Sequence, residues 1–299
     1  MVRLGTALMC GFLTVPVAAV AQEVPAEYQA VLTYLGRTGD FKANVLKVNV
    51  PRNDLSVTVA GVRTPTPFGF GGWLALTKGQ GMDVMMGDLV LTEDQVNPVM
   101  SALLDNGLDV TALHNHFFWD QPRVFYLHVH GHGAPMELAR KVKPALELIG
   151  RGAAPAAGPP AAAVPMLDDA GLAQVVGHVG ERTGQVYKMT IGRDDLTITE
   201  MGAPINARMG LNSWAAFVGT NNDAAIAGDV AMLAAEVTPV LKALRQHGLQ
   251  VVAIHHHMTG AAPTIFFVHY WGTGPAATLA AGFRAALDQL AKPAAVAKH

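Results

Sequence analysis

The sequence predicts an α+β protein built of two homologous tandem copies, each an antiparallel sheet with about two helices. Three observations predict it. The chain repeats itself at one fixed offset, short segments alternate apolar and polar residues between Gly and Pro turns, and each copy carries two apolar-striped segments with helix start and stop residues.

The repeat is the strongest of these. Lys47 aligns with Lys188, an offset of 141 residues, and the register then holds without a gap. Arg52/Arg193, Asp54/Asp195, Gly61/Gly202, Trp73/Trp214, Gly87/Gly228, Asp88/Asp229, His114/His255, His116/His257 and His128/His269 all fall on it. So do Pro98/Pro239, Gly107/Gly248, Pro122/Pro263 and the closing apolar positions Leu138/Leu279 and Leu146/Leu287. The expected organisation is residues 1–21 as an export signal, 22–149 as copy one, 150–165 as an Ala/Pro/Gly linker, 166–291 as copy two and 292–299 as a tail.

In copy one, Val45 to Val50 alternates weakly, and Leu55 to Val59 alternates cleanly as a half-buried strand does. Gly69 to Gly72 mark a turn, and Trp73 to Leu76 and Val84 to Met86 are short strands. A helix then starts at the N-cap Asn97 with Pro98 at its first position (Thr238 and Pro239 in copy two) and stops at Gly107. Leu108 to Phe117 and Val124 to Val129 are β segments joined by a tight turn at Asp120-Gln121-Pro122, and a last helix runs from Pro135 to Ile149.

The 299 residues are 51% hydrophobic and 15% charged with net charge −2, a globular composition with no basic footprint for nucleic acid. Arg3, the apolar run Leu8 to Val20 and Ala19-Val20-Ala21 read as a signal peptide cleaved before Gln22, which makes the protein secreted or periplasmic. No other stretch reaches the roughly 20 apolar residues of a membrane span. Cys10, the sole cysteine, precedes the end of the apolar run and follows Ala7-Leu8-Met9, which disfavours lipid anchoring. The mature chain then holds no thiolate and no disulfide.

The chemistry concentrates in histidines. Copy one has His114 and His116 on one strand and His128, His130 and His132 on the next. Side chains two apart share a strand face, and the short turn expected at Asp120 to Pro122 puts His114 opposite His128, so five imidazoles converge. Imidazoles held on a rigid hairpin suit zinc, copper, nickel or non-haem iron, with Asp88, or Asp229 in copy two, as the carboxylate that completes the set or orients it. Copy two keeps His255, His257 and His269 but has Trp271 and Thr273 where copy one has His130 and His132. If all the later positions are ligands, copy two is degenerate; if only the shared triad matters, both copies bind. Against this stands the plain reading that a neutral strand histidine bonds a backbone carbonyl. Met82, Met85 and Met86 read as core filler, Trp73 and Trp214 as packing residues, and Arg52 with Asp54 as a turn-stabilising pair. No Gly-x-Ser-x-Gly elbow is present.

The run Gly87-Asp88-Leu89-Val90-Leu91-Thr92-Glu93-Asp94-Gln95-Val96-Asn97-Pro98, with Val110-Thr111-Ala112-Leu113-His114-Asn115-His116, resembles the LppY/LpqO family of exported bacterial proteins and lipoproteins of unknown function. His255-His256-His257 and His269-Tyr270-Trp271-Gly272-Thr273-Gly274 resemble its second-copy pattern. The resemblance implies export and a duplicated domain and brings no activity. Three functions fit the residues: a transition-metal-binding protein, extending to a metal-dependent enzyme with Asp88 or Glu93 as base; a non-catalytic envelope module for a small molecule or protein partner; and a scaffold without ligand. No organic cofactor is indicated.

Overall fold

In copy one, the helix α1 (Ala26–Leu35) precedes four strands, β1 (Gly39–Lys42), β2 (Val45–Pro51), β3 (Val57–Val59) and β4 (Val62–Thr64). After β5 (Gly71–Lys78) and β6 (Asp83–Thr92) come α2 (Val96–Asp105), β7 (Asp109–His114), β8 (Asp120–Gln121), β9 (Val124–Gly133) and α3 (Pro135–Leu146). Copy two repeats this as α4 (Asp169–Val176), β10 (Glu181–Thr183), β11 (Val186–Gly192), β12 (Ile198–Glu200), β13 (Ala203–Ile205), β14 (Asn212–Gly219), β15 (Ala224–Leu233), α5 (Ala234–Gln246), β16 (Gln250–His255), β17 (Ile265–Gly274) and α6 (Ala276–Leu287). The computed structural model describes residues 22–150 and 167–291. The expected export signal with Cys10, the linker beyond Gly150 and the tail lie outside the described residues.

Each copy is a six-stranded antiparallel sheet, ordered β1-β2-β5-β6-β9-β7 and β10-β11-β14-β15-β17-β16. Alternation along the strands sends one set of residues, such as Leu46, Leu74, Leu89, Leu127 and Val129, against α1, α2 and α3. The helix-free face turns inward to the other copy, so the layers run helices, sheet, sheet, helices. The hairpin β3–β4 and the following Phe68 and Phe70 reach over to Val186, Ala216, Ala225 and Trp271 of copy two. Reciprocally, β12–β13 with Met209 and Leu211 covers Val45, Ala75, Val84 and Met86 of copy one. Each copy thus supplies the arm that buries the other's inner face, and the hydrophobic effect holds them as a pair.

Three sequence expectations are corrected. The helices α1 and α4 were not foreseen, because neither carries a capping residue in the expected pattern beyond Asp168, whose side chain accepts from the Gly171 N–H. Asn97 and Thr238 are not N-caps. Thr92 N–H donates to Gln95 Oε1 at 3.1 Å and Leu233 N–H to Glu236 Oε2 at 2.7 Å, so a reaching-back side chain starts each helical segment earlier. The link between β7 and β9 is no tight turn: residues 115–123 swing out so that Asp120 and Gln121 pair with Val59 and Thr58 of the arm. The expected strand Leu108 to Phe117 therefore ends at His114. Arg52 does grip Asp54 through two hydrogen bonds of 2.8 Å, as expected.

Candidate metal centre

Cross-strand register builds the site from the sheet outward. In copy one, Asn49, Trp73, Asp88 and His128 lie directly opposite one another on successive strands. Thr190, Trp214, Asp229 and His269 form the same row in copy two. Residues opposite on neighbouring strands share a face, and Lys47 and Lys188, two positions before Asn49 and Thr190, share it too.

The register of the histidine strands differs from the expected one. His114 lies opposite Tyr126, and Ala112 lies opposite His128, with a bulge between Val110 and Ala112. The slip is two residues, so the parity survives and His114 stays on the face of His128; copy two has the same bulge between Val251 and Ala253. Five imidazoles of copy one do not converge. His132 sits exposed near the end of β9. His130 faces inward, but its Nδ1 meets Glu200 Oε1 of the other copy's arm at 2.7 Å.

What converges is the triad common to both copies. His114 Nε2 lies 3.2 Å from His269 Nε2, and His255 Nε2 lies 3.1 Å from His257 Nε2. The His114 and His255 rings stack at 3.7 Å between centres, His116 on His269 at 3.6 Å and His128 on His257 at 4.0 Å. Thr111 Oγ1 on β7 donates to the His257 carbonyl at 2.7 Å, tying the copy-one strand to the copy-two histidine loop. Three donor groups have their ligand atoms within 4.8 Å of one another: His114, His128 and His255; His114, His116 and His269; Asp229, His255 and His257. Two of these draw on both copies. Asp229 Oδ2 stands 3.9 Å from His257 Nε2 and 3.8 Å from His269 Nε2. Asp88 belongs to no such group and lies beside His128 in register.

Burial first, then the neighbouring imidazoles, holds His114, His116, His255, His257 and His269 well below the ordinary histidine range. His128 is pushed down to about 3, again chiefly by burial. All six are neutral and offer lone pairs. The His269 Nδ1 contacts the Gly228 carbonyl at 3.2 Å, and the Gly87 backbone holds His128 likewise. An Nδ1–H bonded to a carbonyl leaves Nε2 free as a ligand. That division fits a metal, as does the ledger of orphans. His114 Nδ1, both nitrogens of His116, His128 Nε2, His255 Nδ1, His257 Nδ1 and one oxygen each of Asp88 and Asp229 are buried without a partner. Native interiors rarely leave so many polar atoms unpaired in one place. The spacing fits as well, since nitrogens at about 2.0–2.1 Å from a tetrahedral metal lie about 3.3 Å apart.

The centre opens on one side into a cavity of about 390 Å³ between the sheets, lined by His116, His257, His269, Asp88 and Asp229 and walled by Trp73, Trp214, Lys47 and Lys188. Gly210, at φ +98°, brings the copy-two arm against this wall; a Cβ there would meet the Trp73 ring at 3.1 Å. Trp73 and Trp214, expected as packing residues, therefore face the cavity. Burial pushes Asp88 up to about 7 and Asp229 well above the carboxylate range, and brings Lys47 and Lys188 down to about 8. Sequence reasoning missed the two lysines as site residues. Their signal was available: they are the one lysine pair kept in the repeat register.

The family model described as Domain of Unknown Function (DUF1259) matches residues 29–148 and, a second time, residues 170–289. No curated protein matches the chain. Among solved structures, a trimeric bacterial microcompartment shell protein, PduB, aligns at 10% identity over 82% of this chain and 87% of its own, with a TM-score of 0.19. EtuB from Clostridium kluyveri aligns at 9% identity over 91% of this chain and 93% of its own, also with a TM-score of 0.19. Likeness at that score carries no inference about this protein.

Proposed function

We propose that this chain, which belongs to the family described as Domain of Unknown Function (DUF1259), binds a transition metal at one centre that both copies build. The supporting observation is the meeting of six histidines, three from each copy and all but His255 buried, with Nε2 atoms paired across 3.1–3.2 Å and further ring nitrogens buried without a partner. A donor set of neutral imidazoles and a carboxylate, without thiolate, selects zinc, copper or iron. His114, His116 and His269 would hold the ion on one side, His255, His257 and Asp229 on the other. Such an ion supplies Lewis acidity to whatever enters the cavity. Asp88, which burial pushes up to about 7 and which belongs to no donor group, could pass a proton to or from a bound group.

The finer placement among the LppY/LpqO proteins rests on the Gly87 to Pro98 and His255 to Gly274 runs and carries export with it. No helix among the described residues is long and apolar enough to cross a membrane. Fractionation of the native host with N-terminal sequencing tests export: a mature chain beginning at Gln22 in the envelope or medium is expected, and a cytoplasmic chain still carrying Met1 refutes it.

Elemental mass spectrometry of the chain purified without chelator tests the metal reading. Bound zinc, copper or iron is expected, and it should be lost when His114→Ala and His255→Ala are combined. A protein that arrives metal-free and takes up none of the three ions overturns the proposal.

A further inference from the structure

Two ammonium groups face the cavity with no carboxylate in ion-pair contact; Asp88 and Asp229 act on them only from farther off. Lys47 Nζ lies 4.4 Å from the centre of the Trp73 ring, and Lys188 Nζ lies 4.1 Å from that of Trp214. Among the described residues neither lysine has an ion pair or a hydrogen bond, and the indole faces are their only close partners. A cation over an aromatic face keeps its N–H groups available at its free side. Neither carboxylate that shares the cavity bonds a lysine: Asp229 Oδ2 faces His257 and His269, and Asp88 Oδ1 is buried without a hydrogen-bond partner. Cationic walls thus stand above a histidine and carboxylate floor.

Two like charges held in a partly buried space repel each other, as Lys188 does Lys47. An anion between them relieves the repulsion and forms charge-assisted hydrogen bonds to both. The volume, about 390 Å³, is that of a metabolite site at the small end of the usual range and excludes a polymer.

We infer that the cavity binds a small oxyanion ligand, bridged by the ammonium groups of Lys47 and Lys188 between the indoles of Trp73 and Trp214, with its inner end toward His116, His257 and His269. The inference rests on the metal reading only for what that inner end meets; the lysine pair stands without it. The ligand is a small molecule carrying carboxylate or phosphate oxygens.

The test is calorimetric titration of the full mature chain with succinate and, separately, with inorganic phosphate, in metal-loaded and chelator-stripped protein. Binding of at least one probe is expected in both forms, and the tighter probe identifies the oxyanion. Lys47→Met and Lys188→Met should each weaken it by about tenfold or more, and the double variant should abolish it while the metal content stays unchanged. In the unsubstituted protein, saturating probe should shield both lysines from amine acylation, read by peptide mass spectrometry. That readout stands if a variant does not fold. Failure of both probes to bind, unweakened binding in the double variant, or lysines that stay unshielded overturns the inference. Binding seen only with metal and indifferent to both lysines also overturns it, because the anion then sits on the ion. A protein that binds the probe through its lysines yet takes up no metal would refute the metal centre and leave this site standing.

Discussion

His269→Ala separates a shared centre from one centre per copy. His269 belongs to copy two, yet its Nε2 lies 3.2 Å from His114 Nε2 and its ring stacks on His116, both of copy one. If each copy bound its own ion, the substitution would leave the copy-one ion untouched. In a shared centre it removes one of three donors from the group His114, His116 and His269. Disturbing an outer-shell partner of a ligand already costs about 10–100-fold in metal affinity, so the loss of a donor should cost at least about 100-fold. By linkage that lowers the stabilisation by metal by about 2.7 kcal/mol at fixed free ion. At about 2–4 °C per kcal/mol for a chain of this size, the rise in Tm on adding metal should shrink by roughly 5–11 °C. The assay is thermal unfolding with and without buffered metal, alongside elemental analysis. A variant that loses half of its metal while a copy-one ion stays bound at full affinity, or one that keeps the full metal content and the full Tm rise, refutes the shared centre.

Two further outcomes are expected. Burial first, then Lys188 and Arg208, brings Lys47 down to about 8, against the pull of Asp88 and Asp40, while burial does the same to Lys188 against Asp88 and Asp229. The ammoniums are therefore present below about pH 8 and lost above it, while Asp88, pushed up to about 7 in the same cavity, becomes a carboxylate first; oxyanion affinity should fall from about pH 7 and further past 8, and an affinity unchanged at pH 9 contradicts the role of the lysines. In the buried network of copy two, Arg193 Nη1 donates to Glu236 Oε2 at 2.8 Å, and copy one makes the equivalent bond from Arg52 to Gln95 at 2.9 Å. Glu236→Ala, which leaves Arg193 with Asp195 alone and removes the acceptor of the Leu233 and Ala291 N–H groups, should cost about 2–3 kcal/mol in denaturant unfolding, while Glu236→Gln, which restores the copy-one pairing, should cost on the order of 1 kcal/mol; equal costs would refute the pairing.

Much of the fold was legible because it depends on parity and repetition. Alternation puts His114 and His116 on one face of their strand and His128 on one face of the next, and a slip by an even number of residues keeps those faces common. The register error of two residues around the histidine hairpin therefore left their common face intact. The excursion of residues 115–123 was not legible, since the pairing of Asp120 with Val59 is a contact between distant strands that no local pattern announces. Nor could spacing separate His130 and His132 from the triad, because all three alternate correctly. His130 is removed from it by a carboxylate, Glu200, that lies in the other copy, and His132 by its place near the strand end. The meeting of the two triads is a property of the packed pair of sheets, and a single copy read alone predicts two half-sites.

The two arm contacts show what duplication permits that a pair of identical chains would not. Where copy one has Met86 opposite His130, copy two has Ala227 opposite Trp271, so a smaller residue on one strand is matched by a larger one on the next. The arms changed with them. His130 meets Glu200, whereas Trp271 packs with Val59, Phe68 and Phe117 of the copy-one arm. Val59 and Glu200 are the same position of the repeat. One arm contact has thus become an apolar lock and the other a buried polar pair, and neither arm fits the opposite sheet: Glu200 against Trp271 would bury a carboxylate without a partner. The lysines, tryptophans, aspartates and triad histidines around the cavity stayed alike over the same duplication. Divergence therefore reached the contacts that decide which face meets which, while the histidine triads, aspartates, lysines and tryptophans at the centre and its cavity are kept, as are structural positions such as Arg52/Arg193 and Leu138/Leu279; that is the pattern expected when both copies serve one site.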